Sequence, residues 1–386
     1  MARFAQASWL SQCHLPSFCT PRRTTLKAGI IGFPGVGKTT LFKILTKAHI
    51  DTGKFSGGKA EAHLGVATVP DPRLDQLAAL FNPKKLAHAT VEYIDVAGLV
   101  KGDSKNAAPL GNLKSVDALV NVVRAFEDET IPHSEGPINP KRDIANLELE
   151  LILSDLGIIE KRVERLAKDI KKIKNPENEK ELELLSQCQS WLESEKPLRA
   201  MPLTEDQKRI LRGFTFLSEK PIVHVLNLSD AEAAKVDTVT SAYELQETAA
   251  LANVGITAVC GKIEAELVEL SGEDALAFLA DYGLRESGLD RLIRVTYDLL
   301  GLISFFTVGE DECRAWTIRR GTPALKAAGV IHSDIERCFI RAEVVHCDKL
   351  LELKTLAAAR EKACLKLEGK EYVVLDGDVI NFRHSG

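Results

Sequence analysis

Several things are missing from this sequence, and each absence removes a class of function. No apolar run approaches the length of a membrane-spanning helix, because charged residues interrupt every run within about a dozen positions. The eight cysteines (Cys13, Cys19, Cys188, Cys260, Cys313, Cys338, Cys347 and Cys364) include no C-x-x-C pair. A reduced cytoplasmic protein is the simplest reading of that scatter, with redox sensing by one thiol the lesser one. A basic excess is missing too. Fifty Lys and Arg against 55 Asp and Glu leave a net charge of −5, which argues against a surface that coats nucleic acid and still permits a local basic patch. The first 25 residues lack acidic side chains, while carrying Arg3, Arg22, Arg23 and several Ser and Thr. That composition fits a transit peptide. It equally fits translated upstream sequence, with Leu26 at a misread alternative start, and the second reading is preferred. Either way the segment is expected to be disordered and outside the fold.

What is present is globular. At 386 residues, 45% hydrophobic and 27% charged, the chain has room for two or three units. Its most informative run is Gly32-Phe33-Pro34-Gly35-Val36-Gly37-Lys38-Thr39, the phosphate loop G-x-x-x-x-G-K-[ST]. Ala28 to Ile31 precede it as a short buried strand, and Thr40 to Thr46 follow as an amphipathic helix. Gly35 and Gly37 let the backbone wrap so that its N–H groups face phosphates, and the helix N-terminus adds positive potential. Lys38 would bridge the β- and γ-phosphates, and the Thr39 hydroxyl would ligate Mg²⁺. The expected nucleotide-binding set therefore runs from Gly32 to Thr40.

Further elements follow in the order of a GTPase-like domain. The strand Ala89 to Asp95 ends in Asp95-Val96-Ala97-Gly98, a D-x-x-G in which Asp95 would hold Mg²⁺ through water and the Gly98 N–H would touch the γ-phosphate. Lys38 and Gly98 are thus the expected catalytic pair, and Thr39 and Asp95 the expected metal pair. Ala118 to Val123 and Pro221 to Leu226 are two more buried parallel strands. The second leads into Asn227-Leu228-Ser229-Asp230, at the base-reading position where GTPases carry N-K-x-D. A fifth strand, Ile256 to Val259, leads to Cys260-Gly261-Lys262, the place of the loop that backs the base. Asn227, Leu228, Asp230, Cys260, Gly261 and Lys262 complete the expected nucleotide-binding residues.

Between these strands, Leu156, Ile159, Val163, Leu166, Ile170 and Ile173 repeat at spacings of three and four, a heptad seam. Asn175-Pro176-Glu177-Asn178 breaks it, and Leu182, Leu185, Cys188 and Leu192 resume a second stripe. The pattern predicts an antiparallel coiled-coil hairpin with a basic tip, Lys168 to Lys174, that either touches RNA or is a solvated helix end. The last eighty or so residues alternate like strands at Arg314 to Ile318 and Tyr372 to Leu375, with a helical stretch near Ser333 to Arg337 and a turn and strand over Asp376 to Phe382.

These residues carry a resemblance. From about Lys27 to Asn381 the chain resembles the YchF/Obg-like ATPase family of P-loop NTPases. The shared features are the phosphate loop, Val69-Pro70-Asp71-Pro72-Arg73-Leu74-Asp75, Asp95 to Gly102, Val122 to Glu127, and the C-terminal runs Arg314 to Ile318, Ala328 to Asp334 and Asp376 to Phe382. The resemblance implies an α/β P-loop NTPase fold, a Ras-like G domain with an inserted antiparallel coiled-coil hairpin and a small C-terminal α/β TGS domain. The expected limits are 26–145 and 206–303 for the nucleotide domain, 146–205 for the insertion and 304–386 for the TGS domain. It also implies a Mg²⁺-dependent nucleoside-triphosphatase with ATP preferred over GTP, bound to the ribosome or ribosomal RNA and modulating translation or stress responses. No membrane and no DNA are expected as partners.

Some residues depart from the family. Leu99 stands where Ras-like enzymes place a water-orienting Gln, as in the family, so slow intrinsic hydrolysis is expected. His63 is a minor candidate to complete the site, against the ordinary reading of a surface loop histidine. Asp230 replaces the family's usual Glu, and its carboxylate suits guanine, while Leu228 removes the Lys that packs along a guanine base. The stretch Asp51 to Gly65 lacks a switch threonine and looks like a mobile loop. Asn106 to Lys114 looks like a shortened switch helix. The alternative reading is therefore a GTP-preferring, or hydrolysis-poor, nucleotide-gated module that binds RNA or the ribosome.

Overall fold

The computed structural model describes residues 26–46, 63–96, 111–133, 136–173 and 175–385. In chain order the first half holds β1 (Lys27–Ile31), α1 (Lys38–Thr46), β2 (His63–Thr68), α2 (Pro72–Phe81), β3 (Lys85–Ala87), β4 (Thr90–Asp95), β5 (Ala118–Arg124), α3 (Pro140–Lys172) and α4 (Pro176–Glu193). The second half holds β6 (Ile222–Asn227), β7 (Val254–Val259), α5 (Gly261–Leu267), β8 (Leu302–Thr307), β9 (Glu312–Arg319), α6 (Ala324–Ile331), β10 (Phe339–His346), β11 (Lys366–Glu368) and β12 (Asp378–His384), with further helical segments between them. Two compact units result. One comprises Leu26–Ala67 and Glu92–Leu299; the other groups Thr68–Val91 with Leu300–Gly386.

The first unit is built on a six-stranded sheet of order β2-β4-β1-β5-β6-β7, in which β4, β1, β5, β6 and β7 pair in parallel. Every residue of β5 is buried, as are all but one residue each of β1 and β6. Parallel strands covered on both faces are written as continuous apolar runs, which is why these three were legible in the sequence. Two polar residues interrupt them. Asn121 on β5 and His224 on β6 are fully buried register partners, and the Asn121 Nδ2 lies 3.0 Å from His224 Nδ1.

The helical insertion is the expected hairpin, but α3 begins at Pro140, ahead of the boundary at 146. Asn139 caps it by accepting the Arg142 N–H, and Pro140 sits in the first turn, where its missing N–H costs nothing. Asn175 and Pro176 repeat the device for α4, so the residues that break the first helix also start the second. Ile159, Leu166, Leu185, Cys188 and Leu192 form the buried seam, whereas Ile173 is 76% exposed and the seam ends before it. Arg162 clamps the two helices through a bidentate pair with Glu181 (2.7 and 2.9 Å). At the base of the hairpin, Arg199 donates to both Glu148 oxygens at 2.7 and 2.8 Å, and the His224 ring stands 3.6 Å from the same carboxylate. Burial alone would raise the Glu148 pKa; the Arg199 guanidinium and then His224 outweigh it and hold it near 2.

The second unit is a mixed sheet of order β11-β10-β12-β8-β9-β3. Ile303, Phe305, Ile318, Val344, Ile380 and Phe382 pack with α6 into its core. The assignment of 26–145 as one continuous stretch of nucleotide domain is corrected here. Residues 68–91 cluster with the C-terminal unit, where β3 pairs in parallel with β9. Asp71 caps α2, and Arg73 bridges Asp71 and Asp376 with contacts of 2.8 and 2.7 Å. Tyr372 to Leu375 is also corrected: it is not a strand. Only Val373 makes an isolated bridge, to Pro323; the Val374 N–H donates to the Thr322 carbonyl, and the Asp378 carboxylate accepts from the Tyr372 hydroxyl and the Leu375 N–H. The six cysteines in the described residues are free.

Arg199→Ala would leave Glu148 buried without its guanidinium, and is expected to cost about 3–5 kcal/mol in urea unfolding. Because the folded pKa of Glu148 lies below its ordinary 4.5, the pair's contribution is present above that pH and disappears as pH falls towards 2. Wild type and variant should therefore converge in stability on acidification.

Candidate nucleotide site

The phosphate loop joins β1 to α1, and glycine is required at two of its turns. Gly32 has φ +144, and a Cβ there would lie 2.4 Å from the Val122 carbonyl oxygen. Gly37 has φ +99, and a Cβ would lie 2.6 Å from Asn227 Nδ2. The side chains of Phe33 and Val36 are buried, so these residues anchor the loop and offer only backbone groups outward. The helix proper begins with the Leu41 N–H donating to the Gly37 carbonyl at 2.9 Å. The amides of Lys38, Thr39 and Thr40 precede the first intrahelical bond and are available to an anion.

Lys38 is buried and donates from Nζ to the Phe33 carbonyl at 2.7 Å, within its own loop. Burial pulls its pKa down to about 8, partly countered by Asp95. Thr39 Oγ1 donates to Asp95 Oδ2 at 3.1 Å, across 56 positions of sequence. Burial pushes the Asp95 carboxyl above the usual range, against the opposing effects of Thr39, Lys38 and His63. A hydroxyl beside a buried, under-compensated carboxylate is a donor set that suits a hard, oxygen-seeking cation such as Mg²⁺.

Asn227, at the end of β6, ties two loops together. Its Nδ2 donates to the Val36 carbonyl at 3.0 Å, and its Oδ1 accepts the Gly261 N–H at 3.1 Å. The side chain expected at the base-reading position is thus spent joining the phosphate loop to the Cys260-Gly261-Lys262 turn. Leu228, expected beside it, has its side chain in the core. At 3% exposure it packs into a core with Val123, Ala233, Val236 and Ile263, so its side chain is not presented to a ligand. Cys260 is equally buried, its thiol directed to the Ser229 carbonyl, with burial pushing its pKa up to about 12. Asp230 and Lys262 remain exposed.

His63, expected in a loop, instead opens β2, the strand beside β4, and is exposed there. Gly98, Leu99, the stretch 51–62 and residues 106–110 lie outside the described residues. Arg124 was passed over in the sequence except as part of Val122 to Glu127. Its buried guanidinium donates to the carbonyls of Phe126, Asp128 and Ile131 at 3.0, 3.0 and 2.8 Å. It thereby shapes the turn that sets Ile131 2.9 Å from a Cβ at Gly35, against the phosphate loop. Beyond this turn, His133 pairs with Asp143 of α3 at 3.1 Å. A strand-end arginine gives no sequence signal of where its guanidinium will go.

Comparison with known proteins agrees with this geometry. A family model for the YchF GTPase C-terminus, described as a protein of unknown function, matches residues 302–385, and one described as a 50S ribosome-binding GTPase matches 27–179. The chain is 45% identical over 363 residues to the ribosome-binding ATPase YchF of Bacillus subtilis (strain 168), covering 93% of this chain and 99% of that protein. The protein of the same name from Escherichia coli O157:H7 is 39% identical over 360 residues, at 92% and 98% coverage. The solved structure of the Schizosaccharomyces pombe YchF GTPase matches with a TM-score of 0.80 at 30% identity, covering 94% of this chain and 99% of that one.

Asn227→Ala removes two hydrogen bonds, each worth about 1 kcal/mol. It is expected to weaken binding of a non-hydrolysable triphosphate analogue by about tenfold or more in equilibrium titration. An unchanged affinity would show that the two loops hold their positions without it.

Proposed function

The chain belongs to the YchF family, and from that premise we propose that it is a Mg²⁺-dependent nucleoside-triphosphatase that prefers ATP and works on the ribosome. The observation that carries the hydrolytic reading is the meeting of Thr39 and Asp95 at 3.1 Å beside the buried ammonium of Lys38. In this reading Lys38 exchanges the Phe33 carbonyl for phosphate oxygens, and the first-turn amides of α1 take the remaining charge. Thr39 and Asp95 hold the metal, which when bound neutralises charge on the phosphates. Gly98, in the D-x-x-G run, would offer its amide to the γ-phosphate. The ribosome enters because the relatives from B. subtilis and E. coli are named ribosome-binding ATPases.

ATP is preferred because the features that select guanine are incomplete. Leu228 is buried where N-K-x-D places its lysine, and Asp230 is an exposed carboxylate whose Oδ1 accepts the Ala231 N–H at 3.2 Å. The second reading, GTP preference, draws on that same Asp230, which can accept from guanine N1–H and N2.

Competition titration with ATP and GTP analogues separates the two. Tighter ATP binding is expected, with Asp230→Asn leaving ATP affinity within about threefold. Tighter GTP binding, lost by tenfold or more in Asp230→Asn, would establish guanine reading instead. For hydrolysis, single-turnover rates with and without ribosomes are the test. Stimulation is expected, and its absence would leave a nucleotide-gated binding module.

A further inference from the structure

A cavity away from the phosphate loop lies on the helical hairpin. It is an open groove of about 940 Å³ running along α4, from Glu179 near the tip to Met201 past the helix end. Its apolar lining is Ile170, Leu182, Trp191 and Met201, all half-buried, with the exposed carboxylates of Glu179 and Glu183 on the rim. The Trp191 indole is held in place, its Nε1–H donating to the Pro197 carbonyl at 3.1 Å. Along α4, Leu182, Ser186, Ser190 and Ser194 recur every fourth residue on the groove side. From Glu179 to Ser194 the helix covers roughly 22 Å, about four turns, so the groove matches the contact length of one further helix. A two-helix hairpin buries only one face of each helix, and a third helix against a pair is the ordinary way to cover such a surface.

Charge says what kind of helix. α4 carries Glu177, Glu179, Glu181, Glu183 and Glu193 against a single basic residue, Lys180. Glu181 is taken by Arg162, whereas Glu179 and Glu183 stand on the groove. The exposed carboxylates on the α4 side attract a cationic partner. We propose that this groove is a docking site for a lysine- or arginine-rich amphipathic helix of a partner protein, its apolar stripe seated on Leu182, Trp191 and Met201 and its basic flank facing Glu179 and Glu183.

The test uses the full chain and two synthetic 16-residue amphipathic peptides with the same leucine stripe, one with lysine and one with glutamate on the polar face. Trp191 emission is followed during titration, with Trp191→Phe as the blank that identifies its signal. The lysine peptide is expected to bind at least tenfold tighter than the glutamate peptide, with affinity falling as salt rises. The double variant E179K/E183K, whose sites are exposed, should reverse the preference while keeping the wild-type circular dichroism and nucleotide affinity. Equal binding of both peptides, or undiminished lysine-peptide binding by the double variant, would overturn the proposal. So would a Trp191 signal that depends on protein concentration alone, which would make the groove a contact between copies of this chain.

Discussion

Burial of the central strands on both faces is the constraint from which the rest of the nucleotide-binding unit follows. Inside β1, β5 and β6 a polar group has no water to turn to, so polar chemistry is pushed to the strand ends. Because β4, β1, β5, β6 and β7 run parallel, their carboxyl ends all lie along one edge of the sheet. Asp95 ends β4, Gly32 follows β1, Arg124 ends β5, Asn227 ends β6 and Cys260 follows β7. That edge is where an open parallel sheet binds its ligands. The candidate site is assembled by topology before any single side chain contributes to it.

The exceptions inside the sheet have a common destination. Asn121 and His224 pair with one another across β5 and β6, and His224 faces the Glu148–Arg199 pair at the base of the helical hairpin. Arg199 also donates from Nε to the Lys220 carbonyl, at the entry to β6. A buried ion pair adds little net stability over an apolar substitute, but breaking it is costly because one charge is left behind. The network therefore fixes where the hairpin leaves the sheet more than it strengthens the fold. β6 carries both His224 and, three residues on, Asn227, so the strand that anchors the insertion also ends in the residue that joins the two nucleotide loops.

Much of this unit was legible in the sequence because its signals are local. A phosphate loop is a contiguous run, buried parallel strands are contiguous apolar runs, and a heptad seam is periodic. What escaped depends on distant partners. β3 has three residues and no periodicity of its own, and it exists because Glu312 to Arg314 lie alongside it, so nothing near residue 85 reveals that 68–91 clusters with the C-terminal unit. Tyr372 to Leu375 has the composition of a strand, but its partners are scattered: the Asp378 carboxylate takes the Tyr372 hydroxyl and the Leu375 N–H, and the Thr322 carbonyl takes the Val374 N–H. The start of α3 was a missed local signal: Asn139-Pro140 is a cap and first-turn pair, and the apolar seam by which the helix was recognised begins much later, at Leu156. Leu228 shows how a motif position can turn inward. Its place in a motif suggested a ligand contact, but a leucine beside a strand end gains more from the core than from a solvated base.

The burial of Leu228 bears on nucleotide selection through a simple energetic argument. A site rejects the wrong base strongly when that base leaves a buried polar group unpaired. An exposed carboxylate that loses its partner keeps its water, so the penalty is small. Asp230 is exposed, Leu228 and Cys260 are withdrawn into the core, and the carboxamide of Asn227 is already engaged at both ends by Val36 and Gly261. Of the side chains expected around the base, Asn227 is thus engaged within the protein and Asp230 is solvated. Asn227 locks the Gly261 turn to the phosphate loop, and through it the phosphate loop and the Cys260-Gly261-Lys262 turn are held as one piece.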